Sequence, residues 1–442
     1  MRLIQTIKNI FKIEDLRARL IYTFGIILLY RLGKYVTLPG IDPSQLAGLK
    51  DQTSSGIMGL LDMFSGGAFS QASIFALGIM PYISASIVVQ LLGIVFPYFQ
   101  KLQKEGESGR RKMNQYTRYL TIAVLVLQAP TYLVNLSAQL PASAFVMPTF
   151  FFKFSSVVIL TAGTMFVMWL GERITDKGIG NGISLIIMIG IVARLPANFI
   201  FEAGTRMNGA GGAIALIVEI VFLFVVVLGT ILLVQGTRRV PVQYARRIVG
   251  NKQYGGVRQY IPLKVNAAGV MPIIFAQAIM MLPIIIAGYS DSGSGFVVAF
   301  SNMYGFWYNL VTAILIIVFT YFYTAITINP VQMAEDMKKN GGFIPGIKPG
   351  RKTVEFLDSI MSKITLPGSV FLAIIAILPA IAVLAGITPQ FAQFFGGTTL
   401  LILVGVVLDT LQQIESHLLM RHYDGLMKSG RVKGRSGAVQ SI

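Results

Sequence analysis

The stretch GAIALIVEIVFLFVVVLGTILLVQ (212–235) decides the class of this chain. It runs for 24 residues with one charge, Glu219, and a membrane-crossing helix needs about 20 mainly apolar residues. Working outward, similar runs occupy Leu20–Leu38, Ala72–Phe96, Tyr119–Leu140, Phe154–Leu170 and Ile183–Phe201 on the N-terminal side. On the C-terminal side they occupy Asn266–Tyr289, Tyr308–Ile328, Leu366–Gly386 and Gln393–Gln413, which makes ten expected spans. Composition agrees: of 442 residues 54% are hydrophobic and 13% charged, and the mean hydropathy is +0.68. A soluble domain carries about 25% charged residues, so a soluble enzyme and a disordered chain are both excluded.

Charge placement gives the orientation. Of the 37 Lys and Arg, 31 fall on the segments that face the cytosol if the N-terminus does, against six (Arg31, Lys34, Lys50, Lys153, Arg194 and Arg206) on the other side. The same split applied to the 19 acids leaves all of the +18 net charge on the cytosolic face. A basic excess that could have signalled nucleic acid is therefore chiefly a topology signal, with both termini expected inside. Residues 1–19, with Leu3, Ile4, Ile7, Ile10 and Phe11 set against Lys8 and Lys12, read as a helix lying on the membrane surface. The expected organisation is then five spans over 20–201, five over 212–413 with cytosolic loops at 236–265 and 331–365, and a basic tail at 414–442. Five is odd, so two such halves related by duplication would be inverted in the membrane. Residue identities do not display the repeat.

The residue inventory limits the chemistry. Cys is absent, and the two histidines, His417 and His422, lie near the basic tail, so thiolate metal sites and a Ser-His-Asp triad are unavailable. The spans are nearly free of acids, holding Glu219 and Asp409 near their ends, where helix packing or snorkelling is the expected role rather than proton relay. Isoleucines stand beside small residues in PYISASI (Ile83, Ile87), NGISLII (Ile183, Ile187), PIIFAQ (Ile274) and LLILVG (Ile402). The i,i+4 pairs share a helix face, and lipid contact is the default for each. Gln90, Gln128 and Gln277 lie within spans and should face other helices or water, since an unpaired amide in hydrocarbon is costly. GIMGLLDMFSGGAFS (56–70) is apolar but too short and glycine-rich to cross; it reads as an interfacial loop or as a re-entrant segment lining a cavity.

The loop 238–264 has seven cationic residues, no acid, and Tyr244, Tyr254 and Tyr260, a composition suited to RNA or an acidic protein surface. GIKPGRKT (346–353) echoes a phosphate loop only superficially: its spacing is wrong and no strand is expected before it. No cofactor is expected.

The stretches MFSGGAFSQASIFALGIMPYISASI (63–87), KEGESGRRKMNQYTRY (104–119), GERITDKGIGNGIS (171–184), PLKVNAAGVMP (262–272) and FIPGIKPG (343–350) closely resemble the bacterial SecY family, over about residues 11–419. That resemblance implies an all-α polytopic fold in which two inverted five-helix halves form a clamshell around an hourglass pore. It implies a protein-conducting channel of the plasma membrane, not an enzyme, that passes unfolded secretory chains across and releases hydrophobic segments sideways. By the same resemblance Ile83, Ile87, Ile183, Ile187, Ile274 and Ile402 match a constriction ring, which replaces the lipid-facing default. The 56–70 segment, with Leu60, Leu61, Met63, Phe64, Ser65, Gly66 and Gly67, matches the plug. Gln90, Gln128 and Gln277 fall on spans of the lateral gate. Arg238, Arg239, Arg246, Arg247 and Lys348 match the surface on which the SecA ATPase and the ribosome, with its RNA, dock. SecE and SecG are the implied companion subunits, and secretory and membrane preproteins the implied substrates. Lys348 departs from the family, which commonly has Arg in this turn; the charge stays and the planar bidentate donor is lost. The rival reading, a small-solute secondary transporter with inverted repeats, expects midplane ion pairs that the spans lack.

Overall fold

The computed structural model describes residues 13–46, 62, 64–146, 148–209, 212–244, 247–249, 252–254, 258–277, 279–280 and 302–428. Expectations placed on Leu60, Leu61, Met63 and Arg246, on residues 1–12, on 281–289 of the seventh span and on the tail beyond 428 lie outside them. Helices dominate: α1 Glu14–Gly33, α2 Met80–Val95, α3 Pro97–Lys104, α4 Glu107–Gln139, α5 Thr149–Lys177, α6 Gly182–Val192 and α7 Leu195–Asn208. Then come α8 Gly212–Gln235, α9 (271–277), α10 Phe306–Thr327, α11 Pro330–Lys339, α12 Arg351–Leu384, α13 Pro389–Ala392 and α14 Gly397–Lys428. Among the described residues seven helices are long and apolar enough to cross a membrane, or eight if the bent pair α2–α3 is one span.

Helix is the answer hydrocarbon requires, because every backbone polar group must bond within its own segment. Side-chain hydroxyls do the same locally. Thr121, Thr230, Thr312, Thr320 and Thr365 each donate to the carbonyl four residues earlier at 2.6–2.8 Å, so these five bring no unpaired hydroxyl into the apolar interior. α8 reproduces the expected span residue for residue. Its Ile214, Ile217, Val221, Phe224, Leu228 and Leu232 are exposed, as lipid-facing side chains are.

Two expectations are corrected. The apolar run of the second span starts at Ala72, but helix begins at Met80 and lasts 16 residues, about 24 Å. Ala72 and Gly78 take positive φ (44° and 55°), which ends any regular run, and Pro97 then turns the chain by 102° into α3. The expected fifth span needs no correction: it lies within one membrane-length apolar stretch, Gly182–Asn208, in which α6 and α7 meet at Ala193–Arg194 with Pro196 in the first turn of α7. The chain is not all-α: the loop after α8 folds as a β-hairpin. There β1 (Thr237–Tyr244) pairs antiparallel with β4 (Arg258–Lys264), from Thr237↔Lys264 to Gln243↔Arg258. Between them β2 (Arg247–Val249) pairs with β3 (Lys252–Tyr254). A two-residue strand β5 (Gly342–Phe343), from the loop after α11, adds to β1 and joins the two loops in one sheet. Val240 and Val242 stand two residues apart on one face of β1 and, with Leu263 of β4, are buried against Met337, Leu357 and Met361.

The helices that continue into the aqueous face carry their own support. α4 starts twelve residues before its expected span, braced by Arg111–Glu107 at 2.8 Å, and α12 starts at Arg351, braced by Arg351–Glu355 at 3.2 Å. Hydropathy reports only the apolar part of such a helix.

Candidate functional site

The isoleucines set apart by the sequence sit on four helices, and the fold brings four of them together. Ile187 (α6) and Ile402 (α14) are buried in one core cluster, with Ile83 (α2) and Ile183 (α6) packed against it. Ile87 is buried and Ile274 half-buried, both outside that cluster. α5 and α6 approach closely enough that a Cβ on Gly182 would strike the Gly171 carbonyl, which explains why glycines stand at those two positions.

Phe64 and Ala68, from the glycine-rich segment, lie in the same cluster as Ile187 and Ile402. The segment 62–70 is not a loose interfacial loop. The Asp62 carboxylate, 2% exposed, accepts from the Ser70 backbone N–H at 2.8 Å and pairs with Arg194. The Asp62 carbonyl takes the Gly67 N–H at 2.7 Å and the Ser65 hydroxyl at 3.0 Å. Tyr30 donates to the Ser65 carbonyl at 3.2 Å, Arg31 to the Gly66 carbonyl at 3.2 Å, and Tyr132 to the Phe69 carbonyl at 3.0 Å. Gly66 (φ 65°) packs on the Gly190 backbone of α6, where a Cβ would come within 2.9 Å of the Gly190 Cα. The segment is thus seated on α1, α4 and the α6–α7 joint.

Of the three glutamines, Gln90 (α2) accepts from the Tyr323 hydroxyl (α10) at 2.6 Å, a contact between helices 233 residues apart in sequence. Phe275 of α9 stacks on Phe319 of α10, with ring centroids 5.7 Å apart. Gln277 is half-buried. Gln128 is exposed, one position off the buried stripe Thr117–Thr121–Leu125–Ala129 of α4. The structure couples one of the three across α2 and α10.

Arg238 and Arg239 are exposed on β1, and Lys348 is exposed in the turn after β5. The shared sheet puts all three on one folded platform. A strand, β5, does precede 346–353, contrary to expectation, but the turn serves as the start of α12: Gly350 takes φ 105° and the Thr353 hydroxyl donates to the Lys348 carbonyl at 3.1 Å. Arg247 lies on β2.

Sequence reasoning passed over a second ionic cluster. Arg206 (α7) bonds Glu202 at 3.1 Å and Glu219 (α8) at 2.6 Å, and Glu202 also accepts from the Thr388 backbone N–H at 3.0 Å and from its hydroxyl. Glu202 is fully buried. The charge count by side treats Arg31, Arg194 and Arg206 only as outer-face cations. Their position at the ends of apolar helices, where an ion is expensive, was the available signal.

The SecY family model matches residues 73–411. The protein translocase subunit SecY of Corynebacterium glutamicum is 45% identical over 95% of this chain and 98% of that protein. The chain belongs to the SecY family. The SecY of Streptomyces scabiei is 44% identical over 95% of this chain and 98% of its own length, and that of Mycobacterium tuberculosis 44% over 94% and 97%. The fold is similar to that of a solved protein conducting channel, with a TM-score of 0.62 at 20% identity over 90% of this chain and 92% of that one. It is also similar to Sec61 in the canine ribosome-channel complex, with a TM-score of 0.56 at 18% identity over 90% of this chain and 92% of that one.

Proposed function

We propose that this SecY-family chain is a protein-conducting channel whose constriction is the isoleucine cluster and whose plug is the segment 56–70. The observation that carries this reading is the packing of Phe64 and Ala68 into the cluster that holds Ile183, Ile187, Ile402 and Ile83. Branched aliphatic side chains offer ions no ligands and can dewet a narrow passage, yet they yield around a passing chain. Ile87 and Ile274 complete the ring. The remaining architecture in this reading is ten spans in two inverted halves, 20–201 and 212–413, with an interfacial helix at 1–19 and both termini on the cytosolic side of a bacterial plasma membrane.

Gln90 and Tyr323 hold the two halves together at a lateral gate, with Gln128 and Gln277 beside it. A segment in the opened gate partitions by its own hydropathy: each central Leu, Ile or Phe gains about 0.3–0.6 kcal/mol in lipid, and a Lys or Asp there costs about 3 kcal/mol. Over 20 residues that sum decides between lateral release and passage. The chain carries no nucleotide site of its own in this reading, and its driving force comes from SecA or a translating ribosome on the platform of Arg238, Arg239, Arg246, Arg247 and Lys348. SecE and SecG are the companion subunits. The transporter alternative finds no support among the relatives, which are translocase subunits.

The test is ion conductance of the chain, with its co-purifying subunits, in planar bilayers. Ile402→Gly removes a buried wall of the constriction and should raise resting conductance several-fold; conductance equal to that of the unaltered chain contradicts the assignment.

A further inference from the structure

The plug reading leaves open what holds the segment in its seat, and the polar contacts around Asp62 answer it. Asp62 is 2% exposed and its carboxylate has two partners: one oxygen takes the Ser70 N–H, and the other faces the Arg194 guanidinium. Arg194 is presented by the α6–α7 joint, 132 residues away in sequence, and its side chain is 22% exposed. Two further cations close around the same turn. Arg31 bonds the Gly66 carbonyl at 3.2 Å, and a Cβ on Gly67 would meet Lys34 Nζ at 2.8 Å and Arg194 Nε at 3.3 Å. Three of the six outer-face cations thus converge on nine residues.

We infer that Arg194 is a positioning residue for gating: its ion pair with Asp62 latches the plug shut, and breaking that pair is the polar cost of opening. This rests on the channel reading above. The two partners are unequal, which makes the inference specific. Arg194 already reaches water, so losing Asp62 leaves a cation that solvent can accept. Asp62 does not, so losing Arg194 strands a buried carboxylate for as long as the plug is seated. Opening lets that carboxylate reach water. The closed state is therefore the one destabilised by removal of Arg194.

The experiment measures resting ion conductance of the full chain with its co-purifying subunits in planar bilayers, for Arg194→Leu, Arg194→Lys, Asp62→Asn and the double variant Arg194→Leu with Asp62→Asn. Arg194→Leu should raise the open fraction on the order of tenfold to a hundredfold. Arg194→Lys should stay within a few-fold of the unaltered chain, because the charge remains. Asp62→Asn, which keeps an acceptor for the Ser70 N–H, should rise less than Arg194→Leu. The double variant should fall back to the Asp62→Asn level, since the stranded charge is gone. A double variant as leaky as Arg194→Leu, or leakier, would mean that lost packing rather than charge opens the seat, and overturns the latch. Ile402→Gly separates the two claims. Leak in Ile402→Gly but none in Arg194→Leu overturns the latch and keeps the channel; no leak in either overturns both.

Discussion

Replacing Arg206 with leucine should cost this protein a large share of its stability, by an amount that shrinks in acid. Arg206 neutralises two carboxylates at 3.1 Å and 2.6 Å, and the side chains of Arg206, Glu202 and Glu219 are 14%, 0% and 8% exposed. Taking one partner from a buried ion pair costs about 3–5 kcal/mol. Glu202 keeps its two bonds from Thr388, so the larger strain falls on Glu219, whose second oxygen has no hydrogen-bond partner among the described residues. The cheapest relief is to protonate one carboxyl, which for an ordinary glutamate at pH 7 costs about 4 kcal/mol. That figure caps the loss per carboxylate. Each unit of pH removes about 1.4 kcal/mol of it, so most of the penalty should be gone near pH 5. The assay is thermal unfolding of detergent-purified chain at both pH values, with Arg206→Leu compared with Arg206→Leu carrying Glu202→Gln and Glu219→Gln. Several degrees of lost Tm at pH 7, a smaller loss at pH 5 and partial recovery in the triple variant are expected. An unchanged Tm, or a loss equal at both pH values, would refute the argument.

Other outcomes follow from single contacts. Cysteines at 90 and 323 would be the only thiols in the chain, and a short thiol-reactive bridge between them should block insertion of hydrophobic segments until it is cleaved; normal insertion while bridged contradicts the gate. Gly66→Val places a Cβ at φ 65° against the Gly190 Cα, so it should unseat the plug and raise resting conductance, whereas a tight channel would deny that contact. Arg238→Glu with Arg239→Glu and Lys348→Glu should weaken SecA and ribosome binding in sedimentation assays. It should leave Tm within about a degree, because all three are exposed; undiminished binding argues against the platform.

How much of this was legible depends on which interaction decided each feature. α8 could be read to the residue, because an unbroken apolar run leaves hydrocarbon no alternative to helix. α2 could not, since the backbone turns at Ala72 and Gly78 hide within residues as apolar as the helix itself. The hairpin β1–β4 was visible as cations but not as a sheet, because the strand β5 that pairs with β1, Phe343 opposite Gln243, comes from a separate loop far along the chain. The isoleucines were visible as doublets, yet only a resemblance to a family lifted them above lipid contact. Their convergence depends on helices distant in sequence. Arg194 shares the fate of β5, since its acid Asp62 lies 132 residues away; the acids of Arg206 are near in sequence, but a count of charges by side treats both arginines as topology alone.

The central claim is that a polypeptide passes through the isoleucine cluster. The measurement that tests it most directly is site-specific photocrosslinking to an arrested hydrophilic secretory chain, with the probe at Ile83 or Ile402 and, as a control, at exposed Leu228 on α8. The account predicts adducts with the arrested chain from positions 83 and 402 and none from 228. Adducts absent from both cluster positions, or equally strong from 228, would contradict it.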